Sequence, residues 1–175
     1  MTERAVVRLL PKAPAQALRW GSPWVYADQV VMDRRTRAIP AGAVVAVEDA
    51  AREPLGAAAF NGASKITLRM LGRDPEVAID KAWFAARIAR ALALREALYD
   101  APFYRLVHAE ADGLPGVIVD RFGEAAVIQP NAAWADVLLD DLAAALVEVT
   151  GVTTVLKNGA GRARALEGLP EETTL

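Results

Sequence analysis

The stretch "RLVHAEADGLPGVIVDRFGE", residues 105–124, decides how the chain is read. Two short apolar runs flank a knot of acids, glycines and a proline. Glu110, Asp112 and Asp120 fall within eleven positions. Carboxylates that converge on a cleft can hydrolyse glycosides or hold divalent metals, and on that reading the chain would be a hydrolase or nuclease. The local turn chemistry points elsewhere. Asp112-Gly113 and Pro115-Gly116 are turn dipeptides. Asp120 stands just before a turn at Gly123, a setting in which aspartate bonds to its own backbone. The stretch therefore reads as scaffold, with strands over 104–110 and 116–122. A third strand over 125–130 closes a hairpin with the second. No catalytic residue is assigned in it. His108 lies between apolar residues and reads as a core or rim histidine rather than a general base.

Upstream, "DKAWFAARIARALALREAL" (80–98) repeats apolar residues at helical spacing: Trp83, Phe84, Ile88, Ala91, Leu92 and Leu98. Asp80 is placed to cap its first turn. Arg87, Arg90 and Arg95 fall off the apolar stripe and are expected to face solvent. Downstream, 133–151 predicts a second helix closed by Gly151, and 152–158 another strand. "KNGAGRAR" (157–164) is glycine-rich after a strand, but it lacks the acidic residue and second strand of a dinucleotide fingerprint. The tail 159–175 shows no closing element and is expected to be loosely ordered.

The first part of the chain is patterned differently. Short strands are predicted at 5–10, 43–49 and 55–61. In 64–71, Ile66, Leu68 and Met70 alternate with Lys65, Thr67 and Arg69, the signature of a half-buried strand. A short helix follows Pro14 and ends at Gly21. Residues 22–32 read as extended, with Trp24 and Tyr26 in the core, and 33–42 as a basic loop. Short strands at this spacing suggest a small barrel. The segment 72–80 mixes Gly, Pro and charges and divides the chain into 1–74 and 75–175. The fold class is α+β: a β pseudo-barrel, then an α+β layer.

Composition narrows the chemistry. The chain has 175 residues, 54% hydrophobic and 24% charged, enough to bury cores. It has no cysteine and one histidine, which removes disulfides, thiolate ligands and histidine-built metal sites. The N-terminal residues carry no signal-peptide core, and no apolar run approaches a membrane span. A cytoplasmic location without membrane contact is expected. Residues 1–75 hold 11 Lys/Arg against 7 Asp/Glu, and the rest hold 9 against 15. A basic first part is compatible with a polyanion.

"YRLVHAEADGLPGVIVDRFG" (104–123) closely resembles the "DGLPG" signature region of bacterial S-adenosylmethionine-dependent 23S rRNA cytosine-5 methyltransferases. Further pieces agree in order: "LRWGSPWVYADQV" (18–30), "LGAAAFNGASKITLRML" (55–71), "IDKAWFAARIARALALR" (79–95) and "RALEGL" (164–169). The resemblance implies an N-terminal PUA-type RNA-binding domain over 1–74 and a central α+β domain over 75–175. It also implies a Rossmann-like methyltransferase domain beyond them, absent from this chain. The methyl transfer it implies needs a cysteine thiolate, so this chain alone is expected to be inactive and to bind no cofactor, with S-adenosylmethionine held by the parent enzyme. Expected partners are RNA of the 23S class, the missing catalytic domain and, as one oligomeric alternative, a second copy of the chain. A stand-alone RNA-binding adaptor is the second reading.

RNA recognition needs cations for phosphates and flat faces for bases. The expected contacts cluster in "LRWGSPWVY": Arg19 and Trp20, with Gly21 and Ser22 allowing close backbone approach. Lys12 precedes them. Lys65 and Arg69, expected to share one strand face, extend the patch. Arg34, Arg35 and Arg37 are either further contacts or a solvated loop.

Overall fold

A computed structural model describes residues 4–174 and divides into two compact units, 1–77 and 78–175. The first is a curled five-stranded sheet. Its elements are β1 (Val6–Arg8), α1 (Ala15–Arg19), β2 (Trp24–Tyr26), α2 (Arg34–Arg37), β3 (Val44–Glu48), β4 (Pro54–Phe60) and β5 (Ile66–Gly72). The strand order is β1-β3-β4-β5-β2, with β1 parallel to β3 and the other pairs antiparallel. The residues after β2 turn back onto β1. Leu9 bridges Val30, and Leu10 N–H and Val31 N–H bond to Gln29 O and Arg8 O at 2.8 and 2.9 Å. The two edges are thus drawn together, which leaves fewer open backbone groups. Val7, Leu9, Leu18, Val25, Val45, Val47, Phe60 and Leu68 fill the interior.

Three expectations for this unit need correction. The basic loop is a helical turn, α2, because Asp33 caps it by accepting from the Thr36 N–H at 2.8 Å. Residues 22–32 are not continuously extended: a 3₁₀ turn, Ala27–Gln29, interrupts them. Trp24 is half-buried and Tyr26 is 44% exposed, so neither is core. Their β-propensity was a correct signal for a strand, but propensity does not say which face a side chain takes.

The second unit has α3 (Lys81–Glu96), β6 (Phe103–His108), β7 (Val117–Phe122), β8 (Ala125–Pro130), α4 (Ala133–Val137), α5 (Leu139–Thr150), β9 (Thr154–Gly159), α6 (Arg162–Leu166) and β10 (Glu172–Thr174). The sheet order is β10-β9-β8-β7-β6. Only the pair β8–β9 is parallel, because α4 and α5 form the crossover between them. Asp80 caps α3 by accepting from the Trp83 N–H at 2.9 Å. Ile88 and Ala91 are buried with Leu142, Ala145 and Leu146 of α5. Trp134 stacks on Phe84 at 5.7 Å between centroids, and Trp83 meets both edge-on.

The predicted single helix over 133–151 is two helices, broken at Leu138, whose φ of −103° and ψ of 26° are not helical. Leu98 is exposed, beyond the end of α3. Two short elements not expected in the tail, α6 and β10, follow β9, and β10 pairs antiparallel with it. Arg164, 0% exposed, holds the tail by donating to Pro130 O, Asp136 and Pro170 O. Gly159 is required by this pairing, since a Cβ there would lie 1.8 Å from Glu172 O.

Candidate nucleic-acid interface

The opening carboxylates resolve first. A short 3₁₀ turn, Ala109–Asp112, follows β6. Asp112 is buried and takes a two-pronged contact from Arg95, Nη1 to Oδ1 at 2.9 Å and Nη2 to Oδ2 at 2.6 Å. The same carboxylate accepts from the His108 N–H at 2.7 Å. Arg87 lies 3.4 Å over the Trp83 ring and donates to Gly113 O at 3.1 Å, and Arg90 donates to Asp112 O. Arg87 and Arg95 are half-buried and grip the turn rather than face solvent, while Arg90 reaches it from an exposed position, as expected. Burial, then the neighbouring Arg90 charge, push the Arg87 guanidinium down from its ordinary value.

Asp120 does not cap its own turn. It faces Arg105 across β6 and β7, with contacts of 2.8 and 3.1 Å. Asp112 and Asp120 thus belong to different arginines, and among the described residues no group of three or more His, Cys, Asp or Glu could hold a metal ion. His108 is exposed at the end of its strand. The rest of the motif is packing: Leu114 is buried, and Pro115 O accepts from Trp134 Nε1 at 2.9 Å. Gly116 has φ +76°, and a Cβ there would meet the Ala132 Cβ at 2.7 Å. The motif is a clamp between hairpin and helices.

The predicted RNA contacts lie in the first unit. Helix α1 ends in a tight reversal. Gly21 N–H bonds to Leu18 O at 3.0 Å and Ser22 N–H to Ala17 O at 2.9 Å, the paired bonds of a Schellman motif. That motif needs Gly21 at positive φ, here +104°. Buried Leu18 anchors the reversal, and Trp20 projects from it 79% exposed. Ser22 is half-buried. Met70 N–H bonds to Pro23 O at 2.9 Å, and Arg69 is the register partner of Trp24, so Arg69 lies beside the junction.

Other predicted residues are placed less simply. Arg19 donates to Asp49 at 2.7 Å. Asp49 also accepts from the Ala51 and Glu53 N–H groups. The Arg19 hydrogen bond first, then that from Glu53, hold the Asp49 carboxyl below the usual range. Lys12 has Asp28 at 3.5 Å. Lys65 is exposed at the far end of β2, where its carbonyl accepts from Ala27 N–H. The register between β2 and β5 shifts at Val25/Tyr26, and Thr67 and Leu68 are both buried. The bulge breaks the alternation that was expected to put Lys65 and Arg69 on one face. Sequence reasoning missed Asp49 as a partner of Arg19, since only the fold brings the two together.

The glycine-rich segment 157–164 runs from β9 into α6, and the space over Gly161 is open. The space over Gly159 is taken by Glu172 of β10. Among the described residues no helix is long and apolar enough to cross a membrane.

Residues 7–73 match the PUA-like domain family. Over 124 residues the chain is 42% identical to the ribosomal RNA large subunit methyltransferase I of Shewanella amazonensis, covering 69% of this chain and 31% of that protein. It is 34% identical over 167 residues to the enzyme of the same name from Aliivibrio fischeri, covering 94% of this chain and 42% of the relative. A ribosomal RNA large subunit methyltransferase of Deinococcus radiodurans is 34% identical over 131 residues, covering 70% of this chain and 32% of that protein. The chain thus spans about a third to two-fifths of the length of these curated relatives. Among solved structures, a chain from Streptococcus mutans assigned to the SAM-dependent methyltransferases superimposes with a TM-score of 0.73 at 16% identity, covering 88% of this chain and 40% of that one. A methyltransferase complexed with SAH gives a TM-score of 0.70, also at 16% identity, with 88% and 39% covered. These two establish shared fold. Residues 7–73 are thus similar to PUA-like domains, and most of the chain is similar to a part of ribosomal RNA large subunit methyltransferases.

Proposed function

We propose that the chain is the RNA-recognition part of a SAM-dependent rRNA methyltransferase. It would present 23S-class RNA to a catalytic domain encoded beyond residue 175. The observation that carries this reading is the coincidence of the PUA-like match over 7–73 with a solvent-facing tryptophan at the α1–β2 junction. RNA would contact the junction through Trp20, the Gly21 and Ser22 backbone and Arg69, with Lys12, Arg19 and Lys65 adding charge. The domain assignment is RNA-binding for 1–74 and a central scaffold for 75–175. The cytosine-5 outcome rests on family resemblance: a cysteine thiolate adds to C6 of cytosine and makes C5 nucleophilic. S-adenosylmethionine supplies the methyl group in the parent enzyme. In this reading the chain's own residues bind and orient RNA, and the protein works in the cytoplasm.

Two measurements test this. Titration of the 175-residue chain with a labelled large-subunit rRNA transcript should show binding that weakens as salt rises. Absence of binding at low salt would sink the RNA reading. The coding frame after residue 175 should continue into a cofactor loop and a cysteine nucleophile. A natural stop codon there would leave an RNA-binding adaptor.

A further inference from the structure

Helix α2 puts three guanidinium groups on one helical turn: Arg34, Arg35 and Arg37, all exposed. The turn is fixed from within. Thr36, between the arginines, is only 5% exposed, and its N–H takes up the Asp33 carboxylate at the cap. Ile39, just beyond, packs on the core of the unit. The backbone that carries the three charges is therefore held, while their side chains are free to reach outward.

Other cations of the unit are ion-paired. Arg8 has Glu48, Lys12 has Asp28 and Arg19 has Asp49. Among the described residues, Arg34, Arg35 and Arg37 form no ion pair. Asp33 is the one acid beside them; its carboxylate accepts first from the turn's own backbone and also feels the Arg35 charge, which leaves three cations against one acid. Residues three apart on a helix are neighbours, so Arg34 and Arg37 repel each other unless an anion lies between them. A surface that serves only solubility intersperses both signs. A turn with three exposed forked cations against one acid suits a ligand that repeats its negative charge at short intervals, as a phosphodiester chain does.

We propose that α2 is a phosphate-backbone contact for RNA, made by Arg34, Arg35 and Arg37 and additional to the α1–β2 junction. The proposal rests on the RNA reading above. It assigns α2 the sequence-independent share of binding, because phosphate contacts fix position while base contacts carry specificity.

The test is the salt dependence of binding by the 175-residue chain, with a fluorescent oligouridylate and a large-subunit rRNA transcript as probes. Each phosphate neutralised on a single strand contributes about 0.7 to the slope of log affinity against log salt. Changing all three arginines to alanine should lower the oligouridylate slope by about 2. The three residues are exposed, so circular dichroism and the thermal midpoint should match the parent. The triple lysine variant should keep the slope, since it keeps the charges. If the alanine triple does not fold, Arg35→Glu alone should still lower slope and affinity for both probes.

Parent-like slope and affinity in the folded alanine triple, or in Arg35→Glu, overturn the proposal and leave the junction reading intact. If the parent binds neither probe at low salt, the RNA reading falls and takes this proposal with it. If the variants lose binding to phosphatidylserine vesicles while RNA binding is untouched, α2 is a lipid-headgroup contact and the proposal is wrong.

Discussion

Arg95 and Asp112 face each other as a fork on a carboxylate, with N–O distances of 2.9 and 2.6 Å and side chains only 12% and 8% exposed. The pair joins α3 to the turn after β6, and the His108 N–H completes the carboxylate's shell. Removing one member of a buried pair strands the other charge away from water. Asp112→Ala is expected to cost about 3–5 kcal/mol, against less than about 1 kcal/mol for Asp120→Ala in the more exposed pair with Arg105. Urea unfolding midpoints of the two variants check this. Equal losses would mean that Asp112 is no more structural than a surface acid.

Trp134→Phe tests the clamp on the "DGLPG" turn. The ring volume and the stack on Phe84 largely remain, but the donor to Pro115 O is lost. Pro115 is buried, so its carbonyl would be left without that bond at a cost of about 1–3 kcal/mol. A stability within experimental error of the parent would show that the bond contributes nothing.

Trp20 should behave in the opposite way. At 79% exposed, its ring adds little to folding, so Trp20→Ala should leave the thermal midpoint nearly unchanged. If the ring stacks on an unpaired base, the same change should weaken RNA binding by about 1–3 kcal/mol. Fluorescence anisotropy with an rRNA transcript reads the second effect. Full affinity in the variant would remove Trp20 from the interface.

These contrasts show which parts of the molecule are legible in one dimension. Helix α3 and the β7–β8 hairpin follow from local signals: a 3.6-residue apolar period, the Asp80 cap and a glycine at the turn. The partners of the arginines do not. Arg95 meets an acid 17 positions away and Arg19 one 30 positions away, and no local pattern encodes either separation. Thr67 defeats the alternation rule because a bulge inserts it into β5, a feature set by strand pairing rather than by its own neighbours. In the candidate interface, the exposure of Trp20 follows from the Schellman reversal at Gly21, whose glycine is visible in the sequence. The engagement of Arg19 by Asp49 follows from the fold alone.

The tail illustrates the same point through its charges, and it responds to acid in a predictable way. Arg164 and Lys157 both reach Asp136, at 3.0 Å each, and Lys157 also holds Glu172 of β10 at 2.6 Å. Burial pushes the Asp136 carboxyl up, but hydrogen bonds from Arg164 and then Lys157 outweigh it and leave the pKa below the usual carboxylate value. Such a group contributes stability that is complete above its unfolded pKa, about 3.9 for aspartate, and is lost as pH falls through the lower folded value. Acid should therefore release α6 and β10 from β9 as Asp136 takes up its proton, and Asp136→Asn should release them already at neutral pH. Hydrogen exchange of the β9 and β10 amides between pH 6 and pH 3, corrected for the intrinsic rate, reads this directly. Protection that persists unchanged in the asparagine variant would show that the β9–β10 ladder holds the tail without the charge cluster.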